Sequence, residues 1–434
     1  MSVKDLVTET SRFSTKSGHA SRVHYKVAGL AMLLAMITYL DRACIATLAP
    51  NIMHDLSLTK GQMSWVYSIF AFSYALFGIP TAWWADRIGT RRILTRIVVW
   101  WSVFTMATAL AVNLVSLLAI RFLFGAGEAG AWPAVARTFF RWIPRKKRGA
   151  VQGSFFAGAH IASGLAPLLV LALVQVVNWR VVFIFFGSLG CGWALIWHRW
   201  FRDDPASHPE VNAMELEHIT AGQASENERY GGWKFWRQLL SQRNVLLLCC
   251  MYFPNSFAFY FCITWLPTYL KECHGFTAMS LGFFAGLPLV LSVAGDLFGG
   301  FTTDAVARRF GLRIGRSLVG VGAYLIAGVG MIFAAETRNP VLAGYLIALA
   351  VAASMFVLGT AWATCIDIGG DNAGVVSAVM NTSGQIGAVI SPLMVTGLLD
   401  LFGSWNASLF VMGGLFLIGA TCWCFIDPRK RVFE

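Results

Sequence analysis

Charged side chains are scarce in this sequence. Asp, Glu, Lys and Arg make up 13% of 434 residues, against 57% hydrophobic residues and a mean hydropathy of +0.62. So little charge excludes an ordinary soluble domain of this size. The nine cysteines mostly lie within apolar runs, with neither metal-ligand spacing nor a disulfide framework, which leaves them as packing residues. No Walker-type phosphate loop, Rossmann context or HExxH motif occurs, so ATP-driven pumping is excluded, and no cofactor or metal is expected. A cleavable signal is also lacking: the first 24 residues are largely polar, and the apolar run after them is too long for a signal core. Acidic residues are outnumbered 22 to 34 by Lys and Arg, for a net charge of +12. The basic residues sit in short loops rather than on one polar face, which reads as membrane topology and not as a nucleic-acid partner.

What the sequence does have is long apolar runs. A spanning helix takes about 20 apolar residues, and hydropathy with loop punctuation predicts spans at 25–48, 62–85, 93–112, 115–140, 148–176 and 179–200. Six more follow at 244–270, 277–305, 315–335, 340–366, 373–401 and 405–426. The division is therefore an N-terminal segment (1–24), a six-helix bundle (25–200), a linker (201–243), a second bundle (244–427) and a tail (428–434). The linker is the one long polar stretch and carries a Gly231-Gly232 pair. Lys and Arg collect in alternate loops, on the side of the linker and of both chain ends, so both termini are expected to be cytoplasmic.

An internal repeat supports six plus six. Ala82-Trp-Trp-Ala-Asp86-Arg87-Ile-Gly89-Thr-Arg91-Arg92 follows the second span, and Gly300-Phe-Thr-Thr-Asp304, with Arg308, Arg309 and Gly311, follows the eighth. A small residue four before the Asp lets helices approach closely, the Asp accepts from a helix N-terminus, and the arginines bind a facing helix end or anionic lipid. Twelve helices in two parallel halves is the plan of an alternating-access transporter.

Against this apolar background, four charges stand out. Arg121 and Glu128 lie in the fourth run, RFLFGAGEAGAWP, and Asp41 and Arg42 lie in the first. An ionisable group at mid-membrane costs about 2.5–3.5 kcal/mol on insertion scales, so it faces a bundle interior or wet cavity and has a partner. Seven residues separate Arg121 from Glu128. They share a helix face but stand about 10 Å apart, out of reach of one another unless the helix unwinds. The expected arrangement turns Asp41 towards both and leaves Arg42 looking into the cavity. Tyr39 shares the face of Arg42, while Tyr74 and His160 are single polar tips in other spans. Asp296 and Asp367 are expected to pair with loop arginines, and the Trp265-Leu266-Pro267 break in span 7 suggests a gate.

Over its whole length the chain resembles the major facilitator superfamily, whose hallmark is the repeated Gly-x-x-x-Asp-Arg-x-Gly-type loop. The copies here depart from it, with Ala82 in place of Gly and no Arg directly after Asp304. Tyr39-Leu-Asp41-Arg42, RFLFGAGEAGAWP, Thr264 to Lys271 (TWLPTYLK) and Met380 to Ala388 (MNTSGQIGA) are similar more narrowly to the anion:cation symporter family. That family includes bacterial sugar-acid symporters, sialin and the vesicular glutamate transporters. The resemblance implies an all-α membrane protein, monomeric and in the bacterial inner membrane, carrying a small organic anion with protons as coupling ion. It also implies that Trp362, Asn381 and Thr382 contact substrate, and that His160 stands where relatives often carry Gln.

The expected mechanism gives each charge a role. Asp41 and Glu128 take protons, Arg121 switches partners between states, and Arg42 holds the anion, because an arginine that changes partner changes a nearby acid's proton affinity. Asn381 and Thr382 suit a hydroxylated sugar acid (hexonate, hexuronate or aldarate). Sodium coupling and an aromatic carboxylate are the rival details; a transporter-like sensor or channel and a neutral-sugar or drug exporter are rivals of other classes.

Overall fold

The computed structural model describes residues 21–144, 147–220, 233–369 and 373–432, and among them regular structure is helical throughout. Most of the N-terminal segment and the Gly231-Gly232 pair lie outside the described residues. The first half comprises α1 (Val23–Thr47), its short continuation α2 (Ala49–Asp55), α3 (Lys60–Ile88) and α4 (Thr90–Ala107). It continues with α5 (Leu114–Glu128), α6 (Ala131–Trp142), α7 (Arg148–Val174) and α8 (Trp179–Trp200). Helix starts follow local chemistry: Asn113 and Ser116 form a capping box ahead of α5, and the Asn178 side chain caps α8 by accepting from the Arg180 N–H.

The second half comprises α11 (Arg243–Thr264), α12 (Leu266–His274), α13 (Ala278–Phe310), α14 (Leu312–Glu336), α15 (Pro340–Gly369), α16 (Ala373–Phe402) and α17 (Asn406–Phe425). Between the halves lie α9 (Ala213–Thr220) and α10 (Trp233–Ser241). Among the described residues, eleven helical segments are long and apolar enough to cross a bilayer. The 29-residue α3 lies between the first two of them.

The repeat seen in the sequence is also a repeat of backbone. Gly89 turns α3 into α4 at φ 89°, ψ 151°, and Gly311 turns α13 into α14 at φ 88°, ψ 160°. Both conformations are open only to glycine. Arg91 donates from Nε and Nη2 to the His198 carbonyl at the end of α8, at 2.8 and 2.5 Å, so this arginine binds a facing helix end. Asp304 accepts from Arg316 Nη1 (2.9 Å). Gly300 and Gly359 meet backbone to backbone: a Cβ on Gly359 would lie 2.7 Å from the Gly300 nitrogen. The side chains of Asp86 and Arg87 fall outside the described residues.

The linker begins as a folded part of the first half. Asp203 Oδ1 accepts from Thr90 Oγ1 (2.9 Å) and the Arg91 N–H (2.8 Å), capping α4. Glu215 of α9 is fully buried and accepts from the His24 N–H (2.8 Å) and Ser21 Oγ (2.5 Å), with His24 Nδ1 2.6 Å away. Burial pushes the Glu215 carboxyl up, but these donors outweigh it and hold it below the usual glutamate range.

The halves meet at the end of the bundle opposite the chain termini. Ser64 Oγ in α3 donates to the Pro392 carbonyl in α16 (2.7 Å) and lies 2.9 Å from Thr396 Oγ1, and Ser68 Oγ donates to the Val389 carbonyl (2.8 Å). Lys60 and Glu272 pair at 2.5 Å across the same seam. Between α7 and α13 the approach is closest at Gly164 and Gly286, where a Cβ on Gly286 would lie 1.8 Å from the Gly164 carbonyl oxygen. The distal end is sealed.

Candidate functional site: a buried charge cluster between two helices

The fourth run forms one span, Leu114–Trp142, close to the predicted 115–140, but the helix within it is broken in two. Glu128 is the last residue of α5, Ala129 is extended (φ −55°, ψ 137°), and Gly130 is left-handed (φ 87°, ψ −5°) before α6 begins. The GAGEAG composition permits both the break and tight packing. A Cβ on Gly125 would meet the Phe70 carbonyl at 2.5 Å, and one on Gly127 would meet Trp100 Cδ1 at 1.7 Å. The break comes after Glu128, which therefore stays in the helical register that holds it about 10 Å from Arg121.

All four charges are buried: Asp41 1%, Arg42 6%, Arg121 3% and Glu128 0% exposed. The structure pairs them differently from the arrangement expected from sequence. Arg42, not Asp41, meets Glu128, with Nε at 2.6 Å and Nη2 at 2.5 Å from the same oxygen, Oε1. Asp41 Oδ2 accepts from Thr105 Oγ1 of α4 at a long 3.4 Å. The physical reason is the roughly 100° divergence of neighbouring helical residues: with Arg42 turned to α5, Asp41 faces α4. Among the described residues four polar atoms of the cluster have no hydrogen-bond partner: Asp41 Oδ1, Glu128 Oε2, Arg121 Nε and Arg42 Nη2, the last held by its ion contact alone.

Aromatic rings close the cluster. The Arg42 guanidinium carbon lies 5.1, 5.2 and 5.0 Å from the ring centres of Tyr39, Phe70 and Tyr74. Arg121 lies 4.9 Å from Phe70 and 4.4 Å from Phe124. Tyr260 of α11 is in electrostatic range of Arg42, bringing the second half to the site. Tyr39 thus lies beside Arg42, whose face it was expected to share, and Tyr74 reaches the same guanidinium from α3. Phe70, shared by both arginines, and Thr105 were not singled out by the sequence, since neither differs in type from many apolar-run neighbours.

His160 sits beyond Tyr39, with ring centres 6.5 Å apart, and beside Phe259 at 5.9 Å. Its Nδ1 is 2.8 Å from Asp296 Oδ2 on α13. The expectation of a loop-arginine partner for Asp296 is therefore corrected: the carboxylate points inward, to the other half. Asp367 does pair with an arginine, accepting from Arg316 Nε (3.0 Å). In the second half Trp362 is 40% exposed, and its indole lies in electrostatic range of the Tyr252 hydroxyl of α11. Asn381 and Thr382 are exposed on α16, and Thr382 Oγ1 is turned back to the Ala378 carbonyl (2.9 Å). Among the described residues no direct side-chain contact joins these three to the charge cluster. The Trp265 break is real, separating α11 from α12, with Trp265 fully buried against Tyr67 of the first half at 5.4 Å between ring centres.

Known proteins share this plan. The Major Facilitator Superfamily profile matches residues 31–392. The chain is 32% identical to a probable sulfoacetate transporter, SauU, of Cupriavidus necator over 95% of each chain. It is 28% identical to a D-galactonate transporter of Escherichia coli (95% and 97% covered) and 29% identical to a hexuronate transporter of Bacillus subtilis (88% and 90%). A solved bacterial homolog of the human lysosomal transporter Spinster, inward-facing and occupied, matches with a TM-score of 0.75 at 21% identity, covering 93% and 96%; this likeness concerns the fold.

Proposed function

We propose that this chain, which belongs to the Major Facilitator Superfamily, is a symporter that moves a small organic anion, a sugar acid in particular, together with protons. It is an integral membrane transporter and not an enzyme. In this reading twelve helices span the membrane, both termini are cytoplasmic, and the sealed distal end faces outward.

The observation that carries the coupling is the balance of the buried cluster. Two carboxylates and two guanidiniums sum to zero, so an anion entering beside them leaves one uncompensated negative charge in a poorly solvated site. A proton on Glu128 or Asp41 restores neutrality. The Arg42–Glu128 pair makes the two events interdependent: Glu128 occupies the guanidinium that a substrate acid would need, and protonating Glu128 releases it. Arg121, with Nε unpartnered, is placed to take over whichever acid stays charged. Tyr39 and Tyr74 offer ring faces and phenolic hydroxyls to a hydroxylated substrate body. The relatives' named substrates support an organic anion, and the polyhydroxy acids among them support a sugar acid.

Glu128→Gln in proteoliposomes is expected to abolish accumulation driven by a pH gradient while sparing substrate exchange. Accumulation that persists unchanged removes Glu128 from the coupling path. Running the pH jump in sodium-free buffer separates proton from sodium coupling. A thermal-shift panel of sugar acids, aromatic acids and sulfonates tests the substrate class, and stabilisation by non-anions alone defeats the anion reading.

A further inference from the structure

A second ionisable pair lies outside the cluster just described, and its members belong to different halves. His160 on α7 and Asp296 on α13 approach to 2.8 Å. The histidine is buried and the aspartate side chain is 21% exposed. His160 is one helical turn, about 6 Å, from Gly164, where α7 and α13 press backbone against backbone. The pair therefore sits at the inner margin of the distal seal, on the helix couple that has to part when that end opens. Arg42 and His160 both border the Tyr39 ring. The other titratable groups in electrostatic range of the pair are Tyr39 from α1 and Tyr252 from α11, phenols that carry no charge near neutral pH.

We infer that His160 and Asp296 form a second proton-binding site, an ion pair between the halves that holds the distal end shut when the imidazole is protonated. The inference rests on the symport reading for its place in the cycle. A protonated imidazole facing a carboxylate across a poorly solvated seam attracts it; a neutral one offers only a hydrogen bond. Protonation from the acidic outer side favours closing the distal end over a loaded site. Loss of that proton to the more alkaline interior weakens the pair and allows the distal end to reopen. The direction matches proton-driven uptake, and the site acts through conformation, where Glu128 acts through the anion.

Hydrogen exchange of the purified full chain in nanodiscs, without substrate or gradient, tests the pair directly. Protection of residues 60–68 and 282–290 is measured at about pH 5.5 and about pH 8, the range over which histidine changes charge, with times corrected for the chemical exchange rate. Wild type is expected to gain several-fold protection at the lower pH. His160→Gln and Asp296→Asn are each expected to abolish that gain, whether or not Glu128→Gln is also present, and the swap His160→Asp with Asp296→His to restore it. A pH response that survives in both single variants overturns the inference. So does a response that disappears with Glu128→Gln alone. Because no substrate or coupling gradient enters the measurement, failure of the anion or symport reading leaves its outcome untouched.

Discussion

Arg42 is held by geometry that only arginine supplies. Two of its nitrogens converge on Glu128 Oε1 while its plane lies among Tyr39, Phe70 and Tyr74. Lysine keeps the charge but loses the second close nitrogen contact and the flat face. Arg42→Lys is therefore expected to leave the fold intact and lower substrate exchange at least tenfold, or about 1.4 kcal/mol, as read by counterflow alongside a melting curve. The sequence showed which four groups are charged where charge is expensive. It did not show how they pair, because Asp41 and Arg42 are neighbours and either could have turned to α5. Nor did it single out Phe70, one of 33 phenylalanines, whose importance arises only where α3 meets α5.

At the scale of elements, the linker joins the first half through charge. With the folded-state pKa of Glu215 depressed, its contribution to docking is present above the ordinary carboxylate range and is lost as pH falls through the depressed value. Deuterium uptake of α9 is expected to rise below about pH 4. Glu215→Gln is expected to raise it at neutral pH, since a neutral amide accepts less strongly from Ser21 and the His24 N–H. Composition marked this stretch as polar and acidic. That Glu215 is buried against residues nearly 200 positions earlier is a tertiary fact with no local periodic trace. The break after Glu128 is half-legible by contrast: the glycines were visible, but close packing and backbone reversal write the same GAGEAG, and here both occur.

For the whole molecule, hydropathy and the repeated loop made the two-part helical plan readable, and Gly89 and Gly311 repeat it in the backbone. Which end is sealed cannot be read that way, because every state of an alternating-access protein shares one sequence and the states differ in how the halves lean. The seal depends on local contacts, and the least compliant is Gly286 against Gly164. A methyl added at Gly286 would stand 1.8 Å from a backbone oxygen and 2.8 Å from its carbon, and neither alanine nor a carbonyl has a rotamer to yield. The helices must separate by about 2 Å to regain ordinary contact. Gly286→Ala is expected to weaken the sealed state by about 1–3 kcal/mol and shift the population towards distal opening. Hydrogen exchange of residues 60–68 should quicken accordingly. Gly397→Ala on α16, where nothing lies within 4 Å of the added Cβ, should leave exchange unchanged. Equal effects from both substitutions would assign the change to general helix packing and remove the Gly164–Gly286 contact from the seal.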